Sequence, residues 1–158
     1  MNGIVPLLLY LVLILAPLVW ACSYSLATGQ GFLHETGKGL ALVGFSILAL
    51  QFVLSARVKP VERPFGLDIL FRFHKSMGAV ALALLLLHPF LLAAGDAGWS
   101  LLYSFSVPWH IWAGKGALLL LLAQAVLSLW RKSLGIEFQR WRAVHNILAV
   151  SILLLAFL

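Results

Sequence analysis

Long apolar runs separated by short polar stretches make up most of this chain, and none of the runs alternates apolar and polar residues with a period of two. At 1.5 Å of rise per residue, about 20 apolar residues cross the hydrocarbon core of a bilayer. Five runs approach or reach that length, at 4–22, 37–55, 69–93, 110–130 and 141–158. Inside a bilayer every backbone N–H and C=O must pair within the protein, which leaves helices or a closed barrel. Without the alternation of a barrel strand, the pattern predicts an all-α, polytopic transmembrane helical bundle. The last run has about 17 residues, the lower limit for crossing. Because the chain ends while still apolar, the fifth span is expected to be cut short, with more protein following. Between runs lie a loop at 28–37 and a longer one at 93–108, with Trp99, Tyr103 and Trp109 as interfacial anchors. No repeat or linker divides the chain, so 1–158 reads as one domain.

Composition agrees. Of 158 residues 63% are hydrophobic and 10% charged, against about 25% charged in soluble domains. The net charge of +6 does not mark a nucleic-acid binder, because the basic residues form no continuous patch. Arg57, Lys59, Arg63, Arg72 and Lys75 cluster around the start of the third run, and Arg131, Lys132, Arg140 and Arg142 precede the fifth. By the positive-inside rule both clusters face the cytoplasm, as does the N-terminus, while the loops near His34 and Asp96 face outward. A multi-pass protein of the cell inner (plasma) membrane is expected. The first run has no basic start, which argues against a signal peptide, and the bulky Trp20 argues against a lipoprotein site at Cys22. With one cysteine the chain forms no internal disulfide.

Two histidines stand out inside the third run. His74 and His88 are fourteen residues apart. On a helix they fall within about 40° of each other and about 21 Å apart along the axis. Ionisable groups at such depths are costly, so a functional role is the first hypothesis. The spacing suits two haem irons, one above the other. His145, just inside the fifth run, enters the membrane from the same side as His74. Two neutral imidazoles saturate a haem iron, which favours electron transfer over oxygen activation. Gly78 and Ala81 share the face of His74, Leu85 and His88, and are small enough for a flat macrocycle to lie near the backbone. The stripe His145, Ala149, Ile152, Ala156 would continue at position 159, where a partner for His88 is expected.

Arg72, Lys75 and Arg142 lie near the inner ligands and fit haem propionates as well as they fit topology alone. Lys115, between Gly114 and Gly116, is expected to snorkel in preference to meeting a propionate. His110 reads as interfacial, and His34 as a loop residue without a role. Pro89 directly follows His88, which predicts a kink and an unpaired Leu85 carbonyl. Two alternatives stay open on spacing alone. One is a proton or ion pathway lined by His74, His88 and His145. The other is an assembly subunit whose histidines only bridge helices.

The segments GLDILFRFHKSMGAVALALLLLHP and HIWAGKGALLLLLAQAVLSLWRKSLGIEFQRWRAVHNILAV resemble the ferric reductase-like transmembrane domain, the family of bacterial ferric reductases, fungal metalloreductases and NADPH oxidases. The resemblance implies six helices, five of them present here, and two stacked haem b groups. It assigns His74 and His145 to the inner iron and His88 to the outer iron. It also implies an oxidoreductase fed by FAD and NAD(P)H on a cytoplasmic flavin reductase domain or subunit outside this chain, with ferric iron or oxygen as the acceptor outside. The haem-bearing membrane subunit of periplasmic methionine sulfoxide reductases is a related branch and the second choice. Membrane lipid is the other expected partner, and nucleic acid is not one.

Overall fold

A computed structural model describes residues 3–25 and 31–158, apart from the side chains of 24, 25 and 96. Residues 28–30 of the expected first loop and the Asp96 side chain thus lie outside the described residues. The described residues form seven α-helices and no strand: α1 (Ile4–Ser25), α2 (Phe32–Ser55), α3 (Lys59–Phe65), α4 (Leu67–Leu92), α5 (Ser100–Tyr103), α6 (Trp109–Trp130) and α7 (Phe138–Phe157). Five of them, α1, α2, α4, α6 and α7, are long and apolar enough to cross a membrane, as the hydrophobic runs predict. Their many exposed apolar side chains, among them Leu8, Val12, Val19, Leu119 and Ile147, suit a lipid surround.

The boundaries differ from the sequence expectation in a consistent way. α2 starts at Phe32 and α7 at Phe138, upstream of the expected 37 and 141. Helices run past their apolar stretch into the polar interface, where the chain still gains by pairing its own backbone. In α2 the first turn holds Glu35, favoured near the positive end of the helix dipole, and Glu35 Oε1 pairs with Lys38 Nζ at 2.7 Å. The expected loop between spans two and three contains α3, which has a proline in its first turn, where the missing N–H costs nothing. Gly66, at φ 76° and ψ 159°, turns the chain between α3 and α4 in a conformation that disfavours residues with a Cβ.

The chain divides into two compact units, Met1–Tyr103 and Ser104–Leu158. In the first, α2 packs on α4 along most of its length, and α1 packs on α2. Its core is Ile14 of α1, Ile47 of α2 and Ala81 of α4, flanked by Tyr10, Met77 and Leu84. Tyr10 meets Phe73 edge-on, with ring centroids 5.1 Å apart. Close approach of α2 to α4 depends on two glycines seven residues apart. A Cβ on Gly44 would stand 2.9 Å from Leu85 Cγ, and one on Gly37 would stand 3.2 Å from the His88 carbonyl oxygen. Lipid tails are as apolar as leucine, so helices in a bilayer associate through such close packing.

In the second unit α6 packs on α7, burying Ala117, Leu121 and Ile152. The loop before α6 is tied down by three contacts. Lys115 Nζ donates to the Ser104 carbonyl at 3.1 Å, and lies 5.2 Å from the centre of the Trp112 ring. Trp112 Nε1 donates to the Phe105 carbonyl at 3.3 Å. Lys115 therefore reaches back toward the start of its helix, as a snorkelling lysine does, and finds a carbonyl there. Replacing it with methionine removes a charge-assisted bond. Amide hydrogen exchange across residues 104–107 is then expected to quicken roughly tenfold, while exchange in α7 stays the same.

Candidate functional site

α4 carries His74 seven residues after its first residue and His88 four before its last, both half-buried. They lie along the seam with α2. The seven-residue series Gly37, Gly44, Gln51 on α2 runs antiparallel to His74, Ala81, His88 on α4. Gly37 approaches His88, Gly44 approaches Leu85, and the Gln51 backbone carbonyl lies by the His74 ring. Gln51 is 7% exposed, and its own Nε2 donates to the Ile47 carbonyl at 3.4 Å. His88 finds its partner within its own helix: Nδ1 is 2.6 Å from the Leu85 carbonyl oxygen. This is the carbonyl that Pro89 leaves without a helical N–H, and it is not unpaired as expected: the imidazole occupies it. The helix itself continues through Pro89 to Leu92.

A carbonyl oxygen only accepts, so in His88 the nitrogen that meets it carries the proton. The other nitrogen then carries a lone pair. An imidazole oriented by a backbone carbonyl in this way is the usual form of a histidine metal ligand.

The two small residues of the expected macrocycle face separate in the structure. No heavy atom lies within 4 Å of where a Cβ on Gly78 would sit, so the surface there is open. Ala81 is fully buried against Ile14 and Ile47, which corrects the expectation of an open surface at that position. Its small side chain serves helix packing. Arg72 and Lys75 are exposed around His74, as is Arg142 near His145, and among the described residues none of the three forms an ion pair with a carboxylate.

His145 stands seven residues into α7, the position His74 holds in α4. Its ring stacks on Trp141 at 5.0 Å between centroids and 36° between planes. The Arg131 guanidinium lies 5.4 Å from the Trp141 ring centre and 5.3 Å from that of Phe138. A small cavity beside His145 is lined by Gln124, Ser128 and Trp141. Sequence reasoning passed over Trp141, Arg131 and Gln124. The four-residue spacing of Trp141 and His145 was a usable signal, since such residues are neighbours on a helix.

His34 is in the first turn of α2 and not in a loop; its backbone nitrogen would lie 3.2 Å from a Cβ on Gly95. His110 is exposed at the start of α6 beside Trp109, as expected of an interfacial residue. Among the described residues no three His, Cys, Asp or Glu side chains are grouped to hold a bare metal ion. A porphyrin asks less of the protein, needing only one imidazole on each side of the iron.

Residues 40–156 match the family described as ferric reductase like transmembrane component. A 119-residue stretch is 26% identical to an uncharacterized protein of Archaeoglobus fulgidus, covering 70% of this chain and 65% of that protein, just under two thirds of its length. No solved structure matches the chain significantly.

Proposed function

The chain belongs to the ferric reductase-like transmembrane family, and from that premise we propose that it conducts electrons across the membrane on two stacked haem b groups. One observation carries this: His74 and His88 share a face of α4, about 21 Å apart by helix rise, and the His88 ring is hydrogen-bonded to a backbone carbonyl. The open surface at Gly78, between them, leaves room for a flat group against the helix.

When bound, haem supplies an iron that gains and loses one electron reversibly. The chain supplies the rest. His74 and His145 are assigned to the inner iron, and His88 to one side of the outer iron. Arg72, Lys75 and Arg142 balance the charge of the propionates at the inner edge. The apolar surfaces of α2 and α4 keep water from His74 and His88 and lower the local dielectric. With the N-terminus in the cytoplasm, electrons enter at the His74 end from a flavin reduced by NAD(P)H on a separate domain or subunit. They leave at the His88 end to an acceptor such as ferric iron or oxygen. A cell inner membrane with that polarity is the setting this requires.

The test is a reduced-minus-oxidised absorption spectrum of membranes from cells expressing the protein with added haem precursor. A b-type signal that copurifies with the protein is expected. Purified protein with no haem, combined with proton or ion flux in vesicles, would overturn the proposal.

A further inference from the structure

In an α-helix the carbonyl of residue 85 accepts the N–H of residue 89. Residue 89 is proline and has none. Within a membrane an unpaired carbonyl costs several kcal/mol, so it takes whatever donor is in reach. The donor in reach is Nδ1 of His88, at 2.6 Å. His74 shows the contrast. It is followed by Lys75, which has an N–H, and its ring lies by a carbonyl of the neighbouring helix, that of Gln51.

We propose that Pro89 is a positioning residue for His88. By withholding an N–H, it gives the Leu85 carbonyl to the imidazole, fixes the proton on Nδ1, and leaves Nε2 as the ligating nitrogen before any haem arrives. The constraint lies within one turn of one helix, so it persists when neighbouring helices shift. The ligating role of Nε2 rests on the haem proposal above; the tautomer does not.

The test uses the full chain, haem-free, in lipid nanodiscs, with 15N-labelled histidine. His88 signals are assigned by their loss in His88→Gln. In the wild type the Nδ1–H form is expected to dominate. Pro89→Ala restores a helical donor to the Leu85 carbonyl. The ratio of Nδ1–H to Nε2–H at His88 is then expected to fall roughly fivefold, the worth of one hydrogen bond, with His74 unchanged. A lactic acid residue at 89 replaces the N–H by an ester oxygen and lacks the proline ring; it is expected to restore the wild-type ratio. An unchanged ratio in Pro89→Ala overturns the proposal, as does an ester variant that behaves like alanine.

The same variants are then loaded with haem. A shift in the outer haem's midpoint potential in Pro89→Ala, reversed by the ester, extends the role to the iron. If the tautomer responds as expected while no variant, nor the wild type, takes up haem, the haem proposal fails and the positioning role of Pro89 stands.

Discussion

Alanine at His74 or at His145 is expected to remove the inner haem and stop transmembrane electron transfer. On the proposed assignment each substitution would delete one of the two histidines holding the inner haem, and a b-type haem would have no covalent tether to compensate. Bound haem falls by about half in either variant if the domain carries two groups. The outer haem's spectrum stays, because His88 is oriented within its own helix and does not depend on His74. Alanine at His88 gives the reverse result. Loss of folding is not the expected cause. Removing the His74 ring leaves the core of Ile14, Ile47 and Ala81 intact. Pyridine haemochrome content and low-temperature difference spectra of purified, monodisperse variants check this. An unaltered spectrum in the His74 variant would falsify the ligand assignment.

Leucine at Gly44 is expected to break the seam between α2 and α4. Even the first added atom, the Cβ, falls 2.9 Å from Leu85 Cγ and 3.3 Å from Leu84 Cβ. Overpacking of this kind costs about 1–3 kcal/mol in soluble cores. Here the same contact is a main attachment of α2, since no hydrophobic force holds helices together in lipid. Alanine at 44 meets the Cβ clash alone and is expected to be milder. The leucine variant has a second, directional consequence. When α2 moves off, the Gln51 carbonyl leaves His74, while the Leu85 carbonyl stays with His88. The inner haem's midpoint potential therefore shifts and the outer haem's does not. Thermal unfolding in detergent and a redox titration of both haems read the two effects. A leucine variant as stable as wild type would show that α2 is held elsewhere.

The architecture was legible wherever physics acts along the chain. Apolar runs became α1, α2, α4, α6 and α7, because crossing a bilayer asks only for length and apolarity. The starts of α2 and α7 were placed late because polar residues such as Glu35, Lys38 and Arg140 end an apolar run without ending a helix. In the candidate site, the shared face of His74 and His88 followed from the helical repeat. So did the liberated carbonyl at Leu85, since a missing N–H is a covalent fact about residue 89.

Pairings across helices could not be read in the same way. Every face of a membrane helix is apolar, so hydropathy does not say which face meets lipid and which meets a neighbour. Ala81 looked like floor for a macrocycle and turned out to be buried under α1 and α2. Gln51 drew no attention, yet its carbonyl comes to lie by His74 once α2 lies against α4. Trp141 stacks on His145 within α7 itself, but Arg131 read as a topological residue and meets the Trp141 ring only when the chain after α6 turns into α7. The sequence by itself determined the number of spans, the facial alignment of the two α4 histidines and the free carbonyl beside His88, because each follows from local geometry or chemistry. Only the tertiary structure decided which backbone carbonyl comes to lie by His74 and which small residues are spent on packing, because both depend on which helices become neighbours.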